Sequence, residues 1–351
     1  AFGLILCVTL MLNAAVYLFL EPILRFLQVP ESVAPGMREY LLIIFAGLLA
    51  TSLYNYLSCL LRALGNSTVP LVFLAVSAML NIGLDLLFVL VFHWGIAGAA
   101  WATVIAQYMS GVGILWFFLA KCKHLLPKKK ELHYDRAILK DIFQLSSLTC
   151  VQQSVMNFGI LMVQGLVNSF GATVMAAFAA AVKIDTFAYL PVQDFGNAFS
   201  TFTAQNYGAG QKERLKQGFR QATIASAAFS VVISALVFIF AKPLMRIFVQ
   251  AGETEVLAAG VLYLRVEGAF YAGIGCLFLL YGFYRAVGRA GMSVVLTVIS
   301  LGTRVALAYL LSGIPFFGVR GIWLAVPIGW ILADAVGLGV YAAKKKTMLQ
   351  I

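Results

Sequence analysis

Long apolar stretches, separated by short polar segments, follow one another along the whole chain. A helix that crosses a bilayer needs about 20 consecutive, mostly apolar residues, and stretches of this length recur from end to end. The pattern therefore predicts an all-α polytopic membrane protein with ten spans. The predicted spans cover residues 1–20, 36–58, 69–92, 97–120, 141–169, 172–207, 219–241, 256–284, 290–312 and 320–343.

Composition supports a membrane location and argues against nucleic-acid binding. The residues are 62% hydrophobic and 11% charged, whereas a soluble domain carries about 25% charged residues. The net charge of +11 would suit a nucleic-acid partner, but the basic residues lie in short loops between apolar runs. Such loops form no basic, aromatic-rich face for a duplex. The expected partners are the lipid bilayer and a small-molecule substrate, and the expected state is a monomer.

The distribution of basic residues predicts the orientation in the membrane. Ten spans place both ends of the chain on the same side. One set of alternate loops contains 17 Lys and Arg residues, and the other set contains 5. Because cytoplasmic loops are enriched in Lys and Arg, both termini and the segment 121–140 are predicted to be cytoplasmic, in a multi-pass protein of the plasma membrane.

The segment 121–140 is the longest polar stretch of the chain. We interpret it as a basic cytoplasmic linker between two helical bundles. It separates a four-helix N-lobe, residues 1–120, from a six-helix C-lobe with a basic tail, residues 141–351. The simpler alternative is an ordinary basic loop that only sets the topology.

Two parts of the chain repeat each other. The segment EPILRFLQVPESV at residues 21–33 returns as KPLMRIFVQAGETEV at residues 242–256. The motif Arg-Ala-Leu-Gly at residues 62–65 returns as Arg-Ala-Val-Gly at residues 285–288. Further matches keep the same offset, from Arg62 to Arg285, across four spans, which indicates a duplication.

The duplication predicts two pseudo-symmetric bundles. Spans one to four correspond to spans seven to ten, and a displacement by six spans preserves orientation, as in the parallel repeats of secondary transporters. The second copy has two additional spans within residues 137–220. A complete pair of copies would therefore have 12 helices, of which this chain holds ten; a true ten-span protein is the alternative.

Three segments carry a family resemblance. They are RALGNSTVP at 62–70 leading into NIGLDLLF at 81–88, GIAGAAWATVIAQ at 95–107, and AFSTFTAQNYGAG at 198–210. Together they resemble the multidrug and toxic compound extrusion (MATE) family. The resemblance covers essentially the whole chain. It implies two six-helix lobes around a cleft that opens alternately to each side of the membrane. It also implies export of an amphipathic, often cationic compound, driven by the inward flow of protons or sodium ions.

Acidic residues inside the predicted spans are costly to place in a bilayer, which makes each one a candidate for function. Asp85 is the strongest, because Asn81 lies four residues earlier on the same helix face. A carboxylate beside a carboxamide oxygen can coordinate Na⁺, and the same carboxylate can instead take up a proton. The structural alternative is that both side chains only join neighbouring helices through hydrogen bonds.

The resemblance extends this pair to a cation-coupling site. The family places such a site in its N-lobe, and its motif positions fall on Asn55, Asn81, Asp85 and Thr103. The family's remaining ligand is an Asp on its first helix, a position that would lie before Ala1. No other metal site and no cofactor besides the coupling ion, H⁺ or Na⁺, are expected.

A second group of polar residues lies in the predicted spans of the C-lobe. Glu267 can pair with Arg304, for which Asp334 is a competing partner. Lys183 and Asp194 return to nearly the same helix face across Pro191. These residues shape a substrate path or form a structural ion network. The substrate-path candidates are Lys183, Asp185, Asp194, Gln153, Asn157 and Glu267.

Motifs of common enzymes are absent from the sequence. No GxxxxGK[ST], HExxH or nucleophile elbow occurs, so the protein is predicted not to be an enzyme. The favoured function is a cation-coupled antiporter for amphipathic, cationic drugs or toxins. The alternatives are a flippase for lipid-linked oligosaccharides, whose cleft would be strongly basic, and an inactive fragment.

Overall fold

The computed structural model describes residues 2–26, 33–123, 135–250 and 252–348, and within these ranges it contains helices and no strands. The predicted all-α fold is confirmed. A π-helical turn, Leu86–Val91, continues the fourth helix. The helices are α1 (Phe2–Phe26), α2 (Ala34–Ala46), α3 (Leu48–Ala63), α4 (Thr68–Asp85), α5 (Gly95–Lys121), α6 (Arg136–Asn168), α7 (Ala172–Gly208), α8 (Lys212–Met245), α9 (Thr254–Gly268), α10 (Tyr271–Ala286), α11 (Ala290–Ser312) and α12 (Val319–Met348).

The helices account for the predicted spans. Among the described residues, eight segments are long and apolar enough to cross a membrane alone. Two more spans arise if each bent pair is one span: α2 with α3, bent by 41°, and α9 with α10, bent by 51°. The count is then up to ten. The second and eighth predicted spans are thus broken helices, a feature that hydropathy does not reveal.

The ends of α3 and α10 have the same backbone conformation. Each helix is followed by the glycine of its Arg-Ala-x-Gly motif, with φ of 86° at Gly65 and 74° at Gly288. In each copy the next residue donates its N–H to the carbonyl five residues earlier, at 2.8 Å. This helix-ending pattern requires a left-handed residue, which glycine adopts without strain. The repeated motif therefore specifies the same helix end twice.

The chain divides into two compact units, Ala1–Leu139 and Lys140–Ile351, called here the N-terminal and the C-terminal unit. The predicted linker 121–140 covers the boundary, and its residues 124–134 lie outside the described ranges. The predicted lobes 1–120 and 141–351 remain a prediction.

The two units differ in the size of their buried cores. In the N-terminal unit one cluster of fully buried apolar side chains contains Leu57, Leu61, Ile114 and Phe118. The core of the C-terminal unit extends over α6 to α12 and includes large aromatic side chains. Helix α10 lies at its centre, packed against α7, α8, α11 and α12, and is buried almost throughout. This packing positions the polar groups described next.

Candidate functional site

The C-terminal unit contains a cavity of about 240 Å³ between α6, α7, α9, α10, α11 and α12. Its wall is mainly apolar and aromatic. Three charged side chains also line it, namely Asp185, Glu267 and Arg304. They come from three different helices, so the cavity exists only when α7, α9 and α11 are packed together.

Glu267 lies at the end of α9, next to the break that separates α9 from α10. Its side chain is 2% exposed. Tyr263, one turn earlier on α9, donates its hydroxyl to Glu267 Oε2 at 2.7 Å. The other carboxyl oxygen, Oε1, is buried without a hydrogen-bond donor among the described residues. Glu267 is thus held in place by one oxygen while the other stays available.

Asp185 lies in the middle of α7 and meets Glu267 in the cavity. The Tyr271 hydroxyl, from the start of α10, donates to Asp185 Oδ1 at 2.5 Å. Asp185 and Glu267 both line the cavity and interact electrostatically. An ionised carboxylate only accepts hydrogen bonds, so a hydrogen bond between the two groups would require a proton on one of them.

Arg304 faces both carboxyl groups and interacts with each electrostatically. Within the described residues, however, no ion pair of 4.0 Å or less joins Arg304 to Glu267, and Arg304 Nε is buried without a hydrogen-bond partner. The predicted Glu267–Arg304 pair therefore shares a cavity without direct contact. Unsatisfied buried polar atoms are uncommon in proteins, and here two of them belong to the same cavity.

The remaining candidates of the C-lobe lie elsewhere. Asp334 was predicted to compete for Arg304, but it contacts the Cys276 thiol and does not line the cavity. The side chains of Gln153, Asn157, Lys183 and Asp194 are exposed on the unit and also lie outside the cavity lining. Lys183 instead has its Nζ 5.8 Å from the centre of the Phe248 ring. Of the six substrate-path candidates, the structure brings together Asp185 and Glu267.

The candidate cation group of the N-terminal unit is only partly assembled. The Asn81 amide lies 3.5 Å from Thr103 Oγ1, and Thr103 donates its hydroxyl to the carbonyl of Ala99 at 3.0 Å. Asp85 is half-buried at the end of α4, where the π-helical turn begins. In the described part of this unit, no hydrogen bond joins Asp85 or the exposed Asn55 to the Asn81–Thr103 pair. Single π-helical turns are frequent at functional sites.

The hydrogen bonds of Tyr263 and Tyr271 to the two carboxyl groups were not predicted. For Tyr263 the spacing of four residues from Glu267 was a usable signal, because such residues meet on a helix face. For Tyr271 no such signal exists, since its partner Asp185 is 86 residues away in the sequence. Only the packing of α7 against α10 brings that pair together.

Comparison with known proteins identifies relatives along the whole chain. The MatE family model matches residues 1–87 and 149–310. A probable multidrug resistance protein of Bacillus subtilis is 33% identical over 93% of this chain and 69% of its own length. A probable multidrug resistance protein of Thermotoga maritima is 24% identical over 86% of this chain and 65% of its own length. The chain thus spans about two thirds of the length of these two relatives.

A solved structure has the same fold. The crystal structure of a MATE in complex with MaL6 superposes with a TM-score of 0.92, covering 99% of this chain and 78% of that one. The two sequences are 20% identical, so the likeness concerns the fold.

Proposed function

Because the chain belongs to the MatE family of membrane transporters, we propose that it exports amphipathic, cationic compounds in exchange for protons or sodium ions. Such an antiporter works by alternating access, in which the cargo and the coupling ion are bound and released on opposite sides of the membrane. The family consists of transporters and not of enzymes.

The placement of Asp185 and Glu267 in one cavity of the C-terminal unit is the observation that carries this proposal. Acidic groups within spans are expensive, and they mark ion and substrate pathways. Here two of them meet in one cavity that also has aromatic walls. A positively charged ligand is the natural complement of such a site.

Exchange follows from the charges around the cavity. When Asp185 and Glu267 share one proton, their single negative charge is balanced by Arg304. Loss of the proton leaves a net negative charge, which attracts an organic cation. The aromatic side chains Phe178, Tyr189 and Trp330, which line the same cavity, can hold that cation over their ring faces. Return of the proton then weakens cation binding, so the two ligands compete for one site.

The N-terminal unit supplies a second candidate, the predicted cation-coupling group of Asp85, Asn81, Asn55 and Thr103. Its role follows from the family resemblance and from the cost of an acid inside a span. The proximity of Asn81 to Thr103 supports it. In this proposal the Asp85 group is a second site for the coupling ion, in addition to the Asp185–Glu267 pair that also binds the cargo.

The flippase alternative is not favoured. A cavity for the phosphate groups of a lipid-linked oligosaccharide should be basic, whereas this cavity carries two carboxyl groups and one guanidinium group. Its charge fits a cation better than an anion.

Transport by the full-length protein in proteoliposomes tests the proposal. A fluorescent organic cation should be moved against its gradient when a proton or sodium gradient is imposed, and not without one. Glu267→Gln keeps the size of the side chain but removes its charge, so the initial rate should fall roughly tenfold, the scale expected for losing a charged hydrogen-bonding partner.

The matched control is Glu255→Gln, which neutralises an exposed acid on the same helix outside the cavity. Its transport should equal that of the wild type. Gradient-independent movement of the dye, or equal rates for wild type and Glu267→Gln, would contradict the proposal.

A further inference from the structure

A second and larger cavity, of about 600 Å³, lies where α8 ends and α9 begins. Its volume is in the range of roughly 300–1,000 Å³ that small-molecule sites occupy. The cavity is at the C-terminal end of a candidate span, Lys212–Met245, and the end of a span is expected near the membrane surface. It shares no lining residue with the cavity that contains Asp185 and Glu267.

The lining combines two positive charges with an apolar wall. Lys242 lies in the last turn of α8 and Arg246 is the residue that follows the helix; they are four residues apart, which places both on one side of the helix end. Val249, Leu257 and Val261 form the apolar part. Among the described residues, none that lines the cavity is acidic. A single cation in the last turn of a helix is explained by its favourable interaction with the helix dipole. The helix dipole does not explain why there is a second cation, or why a cavity lies beside the two.

The N-terminal unit has a different arrangement at the corresponding place. Glu21 and Lys242 are the first residues of the repeated segments 21–33 and 242–256 and therefore correspond to each other. Arg38 corresponds to Val261, at the offset that relates Arg62 to Arg285. Glu21 and Arg38 form an ion pair of 2.8 Å. In the C-terminal unit, Lys242 stands in place of the acid Glu21, and Val261 stands in place of the base Arg38. Among the described residues, neither Lys242 nor Arg246 has an ion-pair partner.

We propose that the Lys242–Arg246 cavity binds the anionic headgroup of a membrane phospholipid. The two cations contact the lipid phosphate, and the first part of an acyl chain lies along Val249, Leu257 and Val261. Basic pockets between membrane helices are known to bind acidic lipid headgroups. A soluble anion would use the charges but leave the apolar wall uncovered, which is why a lipid fits better.

Native mass spectrometry of the full-length protein in detergent tests this assignment. The protein is titrated with phosphatidylglycerol and with phosphatidylcholine that carry the same acyl chains. The wild type should retain phosphatidylglycerol preferentially. Because each basic residue near a membrane surface contributes about 1 kcal/mol to binding an acidic lipid, Lys242→Gln with Arg246→Gln should weaken that binding roughly 30-fold.

Two further variants separate the site from general effects. Arg289→Gln with Arg320→Gln removes the same charge from exposed positions outside the cavity and should bind the lipid like the wild type. Lys242→Glu with Val261→Arg installs the ion pair of the N-terminal unit, so the variant should fold and lose the lipid.

Three results would overturn the assignment. One is equal retention of the two lipids by the wild-type protein, which needs no variant to be measured. Another is an equal loss of lipid in the Arg289 and Arg320 control. The third is displacement of phosphatidylglycerol by millimolar inorganic phosphate, which would identify a site for soluble phosphate instead of a lipid.

Discussion

In the N-terminal unit the second predicted span breaks at Gly47, and in the C-terminal unit the eighth breaks at Ala269 and Phe270. The offset that relates Arg62 to Arg285 also relates Gly47 to Phe270, so the bend occurs at the same place in both copies. The copies have kept their backbone plan, including the glycine helix ends at Gly65 and Gly288.

Several polar side chains inside the spans have not been kept. At the same offset, Asn81 corresponds to Arg304, and Ile44 corresponds to Glu267. The C-terminal unit thus carries its charges at positions where the N-terminal unit has an amide and an apolar residue. Two duplicated sets of helices can thus keep the same backbone while burying chemically different side chains, because the backbone geometry depends on a few glycines and on packing.

The largest effect is expected from Asp85→Asn in the N-terminal unit. Asparagine keeps the shape but can neither carry charge nor exchange a proton, so ion-driven export should be abolished in proteoliposomes. Glu39→Gln, which changes an exposed acid of the same unit, should transport normally. If Asp85→Asn retained pH- or sodium-driven transport, the N-terminal unit would lose its assigned role in coupling.

Gly329→Ala tests a difference in helix packing. In the N-terminal unit, Ser77 donates its hydroxyl to the carbonyl of Ala106 at 2.7 Å. In the C-terminal unit, Gly329 of α12 corresponds to Ala106, and Ser300 of α11 corresponds to Ser77. A Cβ added at Gly329 would overlap the carbonyl oxygen of Ser300, so α11 and α12 lie too close together to accommodate alanine there. The substitution should lower the free energy of unfolding by about 1–3 kcal/mol.

Thermal unfolding in detergent measures this effect. Gly339→Ala on the same helix is the control, since nothing lies within 4 Å of its Cβ, and there alanine should stabilise by up to about 1 kcal/mol. Equal melting temperatures for the two variants would mean that the close approach does not depend on glycine.

Arg304→Asn introduces the residue of the N-terminal unit into the cavity of the C-terminal unit. Removing a positive charge that faces the same space should strengthen binding of a cationic cargo by roughly tenfold. Fluorescence titration of the purified protein measures the dissociation constant, and Arg304→Lys should stay near the wild type. Weaker binding by Arg304→Asn would argue that the cargo does not occupy this cavity.

The smallest effect is expected from a pair of matched tyrosine variants. Tyr263 is 2% exposed and donates to Glu267, whereas its counterpart Tyr40 is 37% exposed. Tyr263→Phe removes one hydrogen bond to the carboxyl group, so cargo affinity should change by about fivefold. Tyr40→Phe should have no effect in the same titration, and a similar change in both variants would remove the functional distinction between the units at this position.

The helical class, the approximate positions of the spans and the duplication could be predicted from the sequence alone. Hydropathy reports the length of an apolar run, and the Arg-Ala-x-Gly motif specifies a helix end through one glycine. The sequence also identified Asp185 and Glu267 as costly acids within spans. These are local properties, carried by adjacent residues or by residues one helical turn apart.

Which polar residues lie close together depends on tertiary packing and could not be predicted from the sequence. A helix pattern does not record the bend at Gly47 or at Phe270, because the apolar run continues through the break. The contact of Asp185 with Tyr271 depends on how α7 packs against α10. Arg304 shares a cavity with Glu267 without pairing, and Asp334 contacts Cys276 instead. Such contacts depend on the rotation and spacing of several helices at once, which periodicity within one helix does not specify.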